Sequence, residues 1–309
     1  YFYWDKSVKH GYVGWWGLAS LPKLNFNSAS LRKVMYEGKN SIVKKWLSPK
    51  YGMSGWRIDV GNMTGRLGED DLHDEVMRGI RTAMDEVKPD AWLVAENGDF
   101  VASDLDGFGW HGAMNYQGFM RPLWNWINQN SSIGGGFQGL PFEMPKIGGK
   151  SLVASMVQFS SSIPWRSLVV TAMLTYPGVP SIFAGDEIGL EGSWGEDSRR
   201  TINWEDRSGW DHEFLAEVKK LVHLRRNHDG LIEGGLRWVA VEDNFICYLR
   251  ESNKQSVLVF ISRKAVRTEI DLAGYGLKVV KTLYGPDATG GSIKIDSDGA
   301  TQGIWEIKS

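Results

Sequence analysis

Two short apolar runs along the chain each end in a carboxylate. The first extends from Gly55 to Val60 and contains Asp59, and the second extends from Trp92 to Ala95 and is followed by Glu96. Apolar runs of this length predict buried strands, where an unpaired acidic side chain is rarely tolerated. The two acids are therefore candidates for chemistry.

A helical pattern separates these two predicted strands. Apolar residues recur every three or four positions between Leu72 and Val87, and Pro89 ends the pattern. A strand, a loop, a helix and a second strand form a βαβ unit, which implies that the strands are parallel. Because side chains alternate between the faces of a strand, Arg57 and Asp59 should point the same way.

The flanking patterns predict further elements. Residues 1–27 are aromatic and loop-like, and the stretch from Ser28 to Leu47 predicts one helix or two short ones. The downstream predictions are, in order, a short strand over Ala113–Tyr116, an aromatic helix from Phe119 to Trp126, a glycine loop at Gly134–Gly136, helices over Leu152–Phe159 and Leu168–Leu174, a strand over Ser181–Ala184 and a long helix over Glu213–Arg226.

The pattern changes after Gly230. Residues 236–309 alternate between apolar and polar positions, with turns between the runs, which is typical of an antiparallel sheet or sandwich. The sequence thus predicts an α/β domain over residues 1–229, in which residues 1–27 are an aromatic loop region, and a C-terminal β-sandwich domain over residues 230–309.

Composition narrows the classes of function. With 35 basic and 37 acidic residues and a net charge of -2, the chain has no field that would favour a nucleic acid or an anionic membrane as partner. No apolar run is long enough to span a bilayer, and the single cysteine, Cys247, excludes an intrachain disulfide. The lone cysteine and the lack of a leader-like start favour a cytoplasmic location for the protein. The sequence leaves open whether the chain forms a homo-oligomer.

The neighbours of each acid suggest its role. A guanidinium beside Asp59 would keep that carboxylate ionised, as a nucleophile requires. Apolar neighbours along its strand would favour the protonated form of Glu96, which suits a proton donor. Two such acids about 5 Å apart would make a retaining glycosidase. The structural alternatives are an Arg57–Asp59 pair at a strand end, and Glu96 as a helix cap or the partner of a lysine.

Five stretches together resemble the α-amylase superfamily of glycoside hydrolases, and they follow the family's order. They are Leu21–Asn25, Gly55–Asn62, the strand ending at Glu96, Met114–Tyr116 and Tyr176–Gly189. The first stretch is most similar to the neopullulanase, cyclomaltodextrinase and maltogenic amylase branch.

This resemblance implies a (β/α)8 TIM barrel, only part of it present in this chain, with a C-terminal antiparallel β-domain. It implies that Asp59 is the nucleophile, Glu96 the general acid/base and Arg57 the residue that orients Asp59. The implied substrate is an α-glucan oligosaccharide with α-1,4 linkages, and cleavage of α-1,6 linkages is left open. The implied reaction is a double displacement, in which water or a sugar acceptor receives the glycosyl group.

Two parts of the family pattern are missing. The strand carrying the third acid, in an asparagine-histidine-aspartate or serine-histidine-aspartate triplet, should precede Tyr176, but Ser160–Ser167 runs straight into an apolar helix. Residues Asn227–Asp229 have the asparagine-histidine-aspartate sequence, but they follow the long helix predicted over Glu213–Arg226. We interpret them as the terminus of that helix. The three opening strands are also missing, so we expect the 309 residues to be the visible part of a longer chain.

Further residues are candidates for sugar contacts. Trp15, Trp16, Trp110, Asn115 and Tyr116 could line subsites, although a core role is an equal alternative for each aromatic residue. Gly98 stands where the family often has an aromatic residue. Asp186 and Glu187 are expected to be structural acids at the last strand.

No cofactor is identified and no metal-ligand cluster is visible, so a calcium site is expected only in the missing part of the fold. Two rivals remain: a catalytically inactive, amylase-like binding or scaffold protein, and an α/β-barrel enzyme acting on another substrate.

Overall fold

The computed structural model describes residues 1–98, 101–127, 163–190 and 200–308. They form two compact units, Tyr1–Arg121 and Pro122–Ser309. The predicted loop at Gly134–Gly136, the predicted helix over Leu152–Phe159 and the Ser160–Ser162 stretch lie outside the described residues, and the domain boundary predicted near Gly230 stays a prediction.

The aromatic segment of the first unit is irregular, as predicted. Its one helical turn is a 3-10 turn at Trp15–Gly17. Isolated bridges such as Phe2 with Leu24 fold the segment back on itself. The Tyr3 hydroxyl donates to Asp70 Oδ2 at 2.8 Å, which fastens the segment to the hairpin that follows the first strand.

Two short helices follow, in agreement with one of the two predicted options. Helix α1 spans Ala29–Arg32 and continues as a π-helical turn over Lys33–Glu37, and α2 spans Ile42–Leu47. The Ser28 hydroxyl accepts a hydrogen bond from the Leu31 amide at 3.3 Å, which caps α1.

The predicted βαβ unit is confirmed. Its elements are strand β1 over Gly55–Ile58, a small hairpin of β2 (Arg66–Leu67) and β3 (Asp70–Asp71), helix α3 over His73–Asp85 and strand β4 over Trp92–Ala95. A further strand, β5 over Gly112–Ala113, extends the sheet in the order β1-β4-β5, and both pairings are parallel.

One face of α3 forms the core of this unit. Val76, Ile80 and Met84 recur at helical spacing, are buried and pack with Leu93 of β4. This face holds α3 against the sheet, so the two strand ends keep a fixed distance from the helix.

The helices of the second unit are mostly as predicted. They are α4 over Arg121–Ile127, which begins at the end of the first unit after a π-helical turn at Tyr116–Met120, α5 over Ile163–Thr175, α6 over His212–Arg226 and the short α7 over Asp229–Ile232. Asp211 caps α6 because its Oδ1 accepts a hydrogen bond from the Phe214 amide at 2.9 Å.

The strand predicted over Ser181–Ala184 is wrong. These residues are irregular and lead into a 3-10 turn at Asp186–Ile188. A strand exists only with a hydrogen-bonded neighbour, and no strand in the described ranges lies beside this segment.

The predicted antiparallel architecture after residue 230 is confirmed. The strands are β6 over Gly235–Val241, β7 over Phe245–Glu251, β8 over Ser256–Ser262, β9 over Val266–Asp271, β10 over Lys278–Tyr284, β11 over Ser292–Ser297 and β12 over Thr301–Lys308. Five of them form one sheet in the order β10-β12-β8-β7-β6, and β11 pairs with β9 in a second.

Both faces of the larger sheet are covered. Cys247, Phe260 and Trp305 belong to a core shared with Ile270 and Ile293 of the smaller sheet. Helix α5 packs on β8 and β12. Cys247 is a buried free cysteine, as expected, and burial raises the pKa of its thiol to about 12.

No helix within the described ranges combines the length and the apolar content that crossing a bilayer requires.

Candidate active site

The register of the parallel sheet places the two acids side by side. Ile58 of β1 pairs with Ala95 of β4, and Asp59 and Glu96 are the residues that follow these partners. The Glu96 amide donates to the Ile58 carbonyl at 2.9 Å. Both acids therefore lie at the carboxyl edge of the sheet, the edge on which α/β barrels carry their active sites.

Gly61 allows the two chains to stay close beyond the strand ends. Its amide donates to the Glu96 carbonyl at 2.7 Å. A Cβ atom at position 61 would stand 2.8 Å from the Cβ of Ala95 and 3.2 Å from the Glu96 carbonyl oxygen. Since real Cβ atoms do not approach this closely, the position requires glycine.

One guanidinium connects the two carboxylates. Arg57 forms an ion pair through Nη1 with Asp59 Oδ1, and through Nη2 with Glu96 Oε2 at 2.8 Å. The Asp59 side chain is 76% exposed and that of Glu96 is 26% exposed. The outer acid is open to a ligand, while the inner one is enclosed by protein groups.

The surroundings of Glu96 differ from those predicted. Its Oε2 accepts from the Val60 amide at 2.9 Å, and its Oε1 accepts from the Tyr116 hydroxyl at 3.0 Å. The expected apolar environment is therefore wrong, because the apolar side chains of β4, such as Leu93 and Ala95, are buried in the core while Glu96 lies beyond the strand end.

Tyr116 is held in its protonated form. Burial, followed by the nearby charge of Glu96, raises the pKa of Tyr116 well above its usual value. Its hydroxyl therefore remains a hydrogen-bond donor to Glu96 over the ordinary pH range.

Val60 has a strained backbone. Its φ of 48° and ψ of 45° lie in the left-handed region, which is costly for a β-branched residue. This conformation turns the chain immediately after Asp59 and directs the Val60 amide at Glu96. Strain of this kind is concentrated at functional sites.

The other predicted sugar-contact residues differ in exposure. Trp16 is 62% exposed, Trp15 is half-buried, and Asn115 is exposed with its Oδ1 accepting from the Gly118 amide at 2.9 Å. Trp110 is only 1% exposed and lies in the core of the first unit. This burial favours the core role that the sequence left open for Trp110.

Sequence reasoning missed three residues near the acids. Val60 contributes through its backbone, which residue type does not reveal. His73 and Asp104 are buried and contact each other, with His73 Nε2 lying 3.3 Å from Asp104 Oδ2. The sequence contained one signal for the buried contact of His73, which is that this histidine stands between Leu72 and Asp74 at the start of an apolar helix face.

The asparagine-histidine-aspartate triplet is a helix terminus, as interpreted. Asn227 follows the last residue of α6, His228 Nδ1 lies 2.6 Å from the Leu224 carbonyl oxygen, and Asp229 pairs with Lys254 at 3.2 Å. His228 and Asp229 therefore both have partners within the protein.

The acids of the Asp186–Ile188 turn have local partners. Glu187 Oε2 accepts from the Gly185 amide at 2.9 Å. Burial, followed by the charge of Glu187, raises the pKa of Asp186 to about 7. The expected structural role stays a prediction, although the strand on which it was placed is not formed.

One group in the described part of the chain has the spacing of metal ligands. It consists of His73, Asp74 and Asp104, whose ligand atoms lie within 4.8 Å of one another. The group does not fit calcium, which takes six to eight oxygen ligands. Moreover, each ring nitrogen of His73 already faces an oxygen of the protein.

Comparisons with known proteins support the sequence resemblance. The family model "Alpha amylase, catalytic domain" matches residues 2–116. An amylopullulanase of Thermoanaerobacter thermohydrosulfuricus is 28% identical over 273 aligned residues, and the match covers 73% of this chain and 18% of that protein. A cyclomaltodextrinase of a Bacillus species is 24% identical over 278 residues, covering 85% of this chain and 46% of that protein.

Solved structures of related enzymes share the fold. A debranching enzyme from Nostoc punctiforme superposes with a TM-score of 0.72 at 20% identity, covering 98% of this chain and 67% of the other. A type III pullulan hydrolase from Thermococcus kodakarensis gives 0.67 at 22% identity, with coverage of 99% and 54%.

The chain thus spans less than half the length of these two curated relatives. The resemblance to the α-amylase superfamily that the sequence indicated is confirmed.

Proposed function

We propose that this chain carries the catalytic acids of a retaining α-glucan glycoside hydrolase and transglycosylase. Its substrates would be oligosaccharides with α-1,4 and α-1,6 linkages. The observation that carries the proposal is the Arg57 guanidinium, which pairs with both Asp59 and Glu96 at the carboxyl edge of two adjacent parallel strands. The relatives named amylopullulanase and cyclomaltodextrinase support the substrate class.

In the first step of the proposed reaction, Asp59 attacks the anomeric carbon. A bond forms between a carboxylate oxygen and that carbon while the glycosidic C–O bond breaks, and Glu96 gives its proton to the leaving oxygen. In the second step, water or a sugar hydroxyl attacks the same carbon, Glu96 takes the proton, and Asp59 leaves. Two inversions give net retention.

Arg57 has a role in both steps. Its Nη1 pairs with Asp59 Oδ1 and fixes the orientation of the attacking carboxylate. A neutral, protonated Glu96 no longer attracts the guanidinium, so Arg57 then forms an ion pair with Asp59 alone. Tyr116 and the Val60 amide hold the Glu96 carboxyl group in place in the meantime.

The proposed architecture is part of a (β/α)8 barrel followed by a C-terminal β-domain. Strands β1, β4 and β5 supply adjacent parallel strands of the expected kind, and the antiparallel sheets follow α7. The exposed Trp16 and Asn115, with Tyr116, are the proposed sugar-contact residues. Two carboxylates suffice for the bond-making steps of the proposed reaction.

Substitution of each acid tests the proposal. Asp59→Asn and Glu96→Gln should each lower kcat on maltodextrin by about a thousandfold or more, since each removes a group that takes part in bond making. Release of reducing sugar measures the rate. Asp85→Asn, on the outer face of α3 in an ion pair with Arg81, is the matched control and should retain the activity.

Azide rescue separates the two roles. Azide added to an Asp59→Gly variant should give a glycosyl azide of inverted configuration, because it replaces the nucleophile. With Glu96→Ala it should give the retained configuration, because it attacks the glycosyl-enzyme. A double Asp59→Asn, Glu96→Gln variant that still cleaved maltodextrin would refute the assignment.

The missing triplet motivates the rival function, an inactive amylase-like protein that binds glucan. Maltooligosaccharide binding by the full-length protein without any release of reducing sugar would favour that rival. Release of reducing sugar together with loss of activity in both acid variants would exclude it.

A further inference from the structure

His73 is a buried histidine whose two ring nitrogens both face acceptors. The residue is 0% exposed. Its Nδ1 lies 3.2 Å from the Thr64 carbonyl oxygen, and its Nε2 lies 3.3 Å from Asp104 Oδ2. A carbonyl oxygen can only accept, so Nδ1 must carry a proton.

The second nitrogen faces a carboxylate. Asp104 Oδ1 accepts from the Ser103 hydroxyl at 3.2 Å, and its Oδ2 lies 3.5 Å from the Asn97 amide nitrogen and 3.3 Å from His73 Nε2. Both ring nitrogens of one buried side chain therefore lie within hydrogen-bond distance of oxygens from two different segments of the chain.

The two acceptors of His73 belong to the two loops that carry the candidate acids. Thr64 lies in the turn that follows Asp59, where its hydroxyl donates to the Val60 carbonyl at 3.4 Å. Asp104 contacts Asn97, the residue directly after Glu96. A single buried ring thus links the loop after β1 to the loop after β4.

Helix α3 gives this link a rigid base. His73 is its first residue, and the buried face of the helix packs against the sheet. The ring also lies 6.0 Å from the ring of buried Trp110. The imidazole ring can therefore hold both loops in relation to one fixed element rather than only to each other.

We propose that His73 is a positioning residue that sets the separation of Asp59 and Glu96 through its contacts with the Thr64 carbonyl oxygen and the Asp104 carboxylate. This inference rests on the proposed function for its effect on catalysis. The bonds themselves do not depend on that function, and they can be measured separately.

Variants that keep one bond at a time test the catalytic effect. His73→Asn retains a donor near the position of Nδ1, and His73→Gln retains one near Nε2. Each should lower kcat on maltodextrin by about tenfold to a hundredfold while KM changes less than about threefold, because misplaced acids affect the chemical step more than glucan binding. His10→Gln, an exposed histidine of the same unit, is the matched control.

If His73 had only a structural role, its variants would have a lower free energy of unfolding but would not combine a lower kcat with a nearly unchanged KM. Unchanged kcat in both folded variants would overturn the proposal.

Hydrogen exchange in the full-length protein distinguishes failure of this inference from failure of the proposed function. Relative to wild type, amide exchange in residues 60–65, 97–98 and 101–104 should accelerate at least tenfold together in His73→Gln and His73→Asn.

Exchange that accelerates in neither loop would refute the link even in an active enzyme. Exchange that accelerates in both loops of a protein that cleaves no glucan would refute the proposed function and leave the link standing.

Discussion

At the scale of single residues, the backbone of Val60 is the least expected feature of the candidate site. A left-handed conformation costs a β-branched residue on the order of 1–3 kcal/mol, and Val60 adopts it at the point where the chain turns after Asp59. The cost is offset by the bond from its amide to Glu96. Val60 therefore contributes through its backbone.

A Val60→Gly variant separates stability from activity. Glycine adopts this φ without strain, and we expect the free energy of unfolding to rise by about 1 kcal/mol. The freed backbone should hold Glu96 less firmly, so kcat should fall severalfold. Urea unfolding and the maltodextrin assay measure the two effects.

Val94→Gly is the control for this prediction, because Val94 lies within the regular strand β4. It should lose stability, since glycine weakens a strand interior. A Val60→Gly variant that lost as much stability as Val94→Gly would contradict the strain argument.

Residue patterns were sufficient to find the candidate acids but not their surroundings. The alternation of β1 placed Arg57 and Asp59 on one face, and the structure has them paired. The link through His73 depends on contacts between residues 31 positions apart, which no local pattern contains. Trp110 could not be assigned to core or surface, because tryptophan is common in both.

At the scale of elements, the Asp186–Ile188 turn carries a testable pH dependence. The pKa of Asp186 is raised from 3.8 to about 7, so the folded protein binds this proton more tightly than the unfolded chain does. The resulting stabilisation is fully present below about pH 4 and is lost as the pH rises through 7.

An Asp186→Asn variant should remove this dependence. At 1.36 kcal/mol per pKa unit the full effect would be about 4 kcal/mol, and because Asp186 is half-buried we expect a gain on the order of 2 kcal/mol at pH 8. Denaturant unfolding between pH 4 and 8 measures the slope. The exposed Glu205→Gln is the control, and a slope identical in wild type and Asp186→Asn would contradict the assignment.

Elements defined by their own sequence were predicted well, and those defined by a neighbour were not. The helix predicted over Glu213–Arg226 is observed over His212–Arg226, because its cap and apolar stripe are local. The strand predicted over Ser181–Ala184 has the right composition, but a strand also needs a partner to receive its hydrogen bonds. That partner cannot be read from the four residues themselves.

At the scale of the whole molecule, two buried arginines of the second unit, one on helix α6 and one on strand β7, both donate to carbonyls at the end of helix α5. Arg225 donates to the carbonyls of Leu174 at 2.9 Å and Tyr176 at 3.0 Å, at the end of α5. Arg250 of β7 donates to the Thr175 carbonyl and to the Gly234 carbonyl at 2.7 Å. Both cations satisfy the free carbonyls of a helix C-terminus.

These contacts bear on the domain boundary predicted near Gly230. A chain of residues 230–309 would lose Arg225 and the end of α5, and it would expose Arg250 and Tyr248. We expect it to unfold at least about 10 °C below a chain of residues 122–309, which keeps both. Near-ultraviolet circular dichroism of the tryptophan residues follows thermal unfolding. Equal midpoint temperatures for the two chains would support a domain boundary at residue 230.

The close approach at Gly61 has a consequence for how relatives of this chain should be judged. A side chain at position 61 would act as a wedge between the two loops and separate the acids without altering either of them. Both candidate acids would still be present in such a sequence, although the protein had lost its activity. Inactive homologues can therefore arise by geometry alone, and a search for the acids would count them as enzymes.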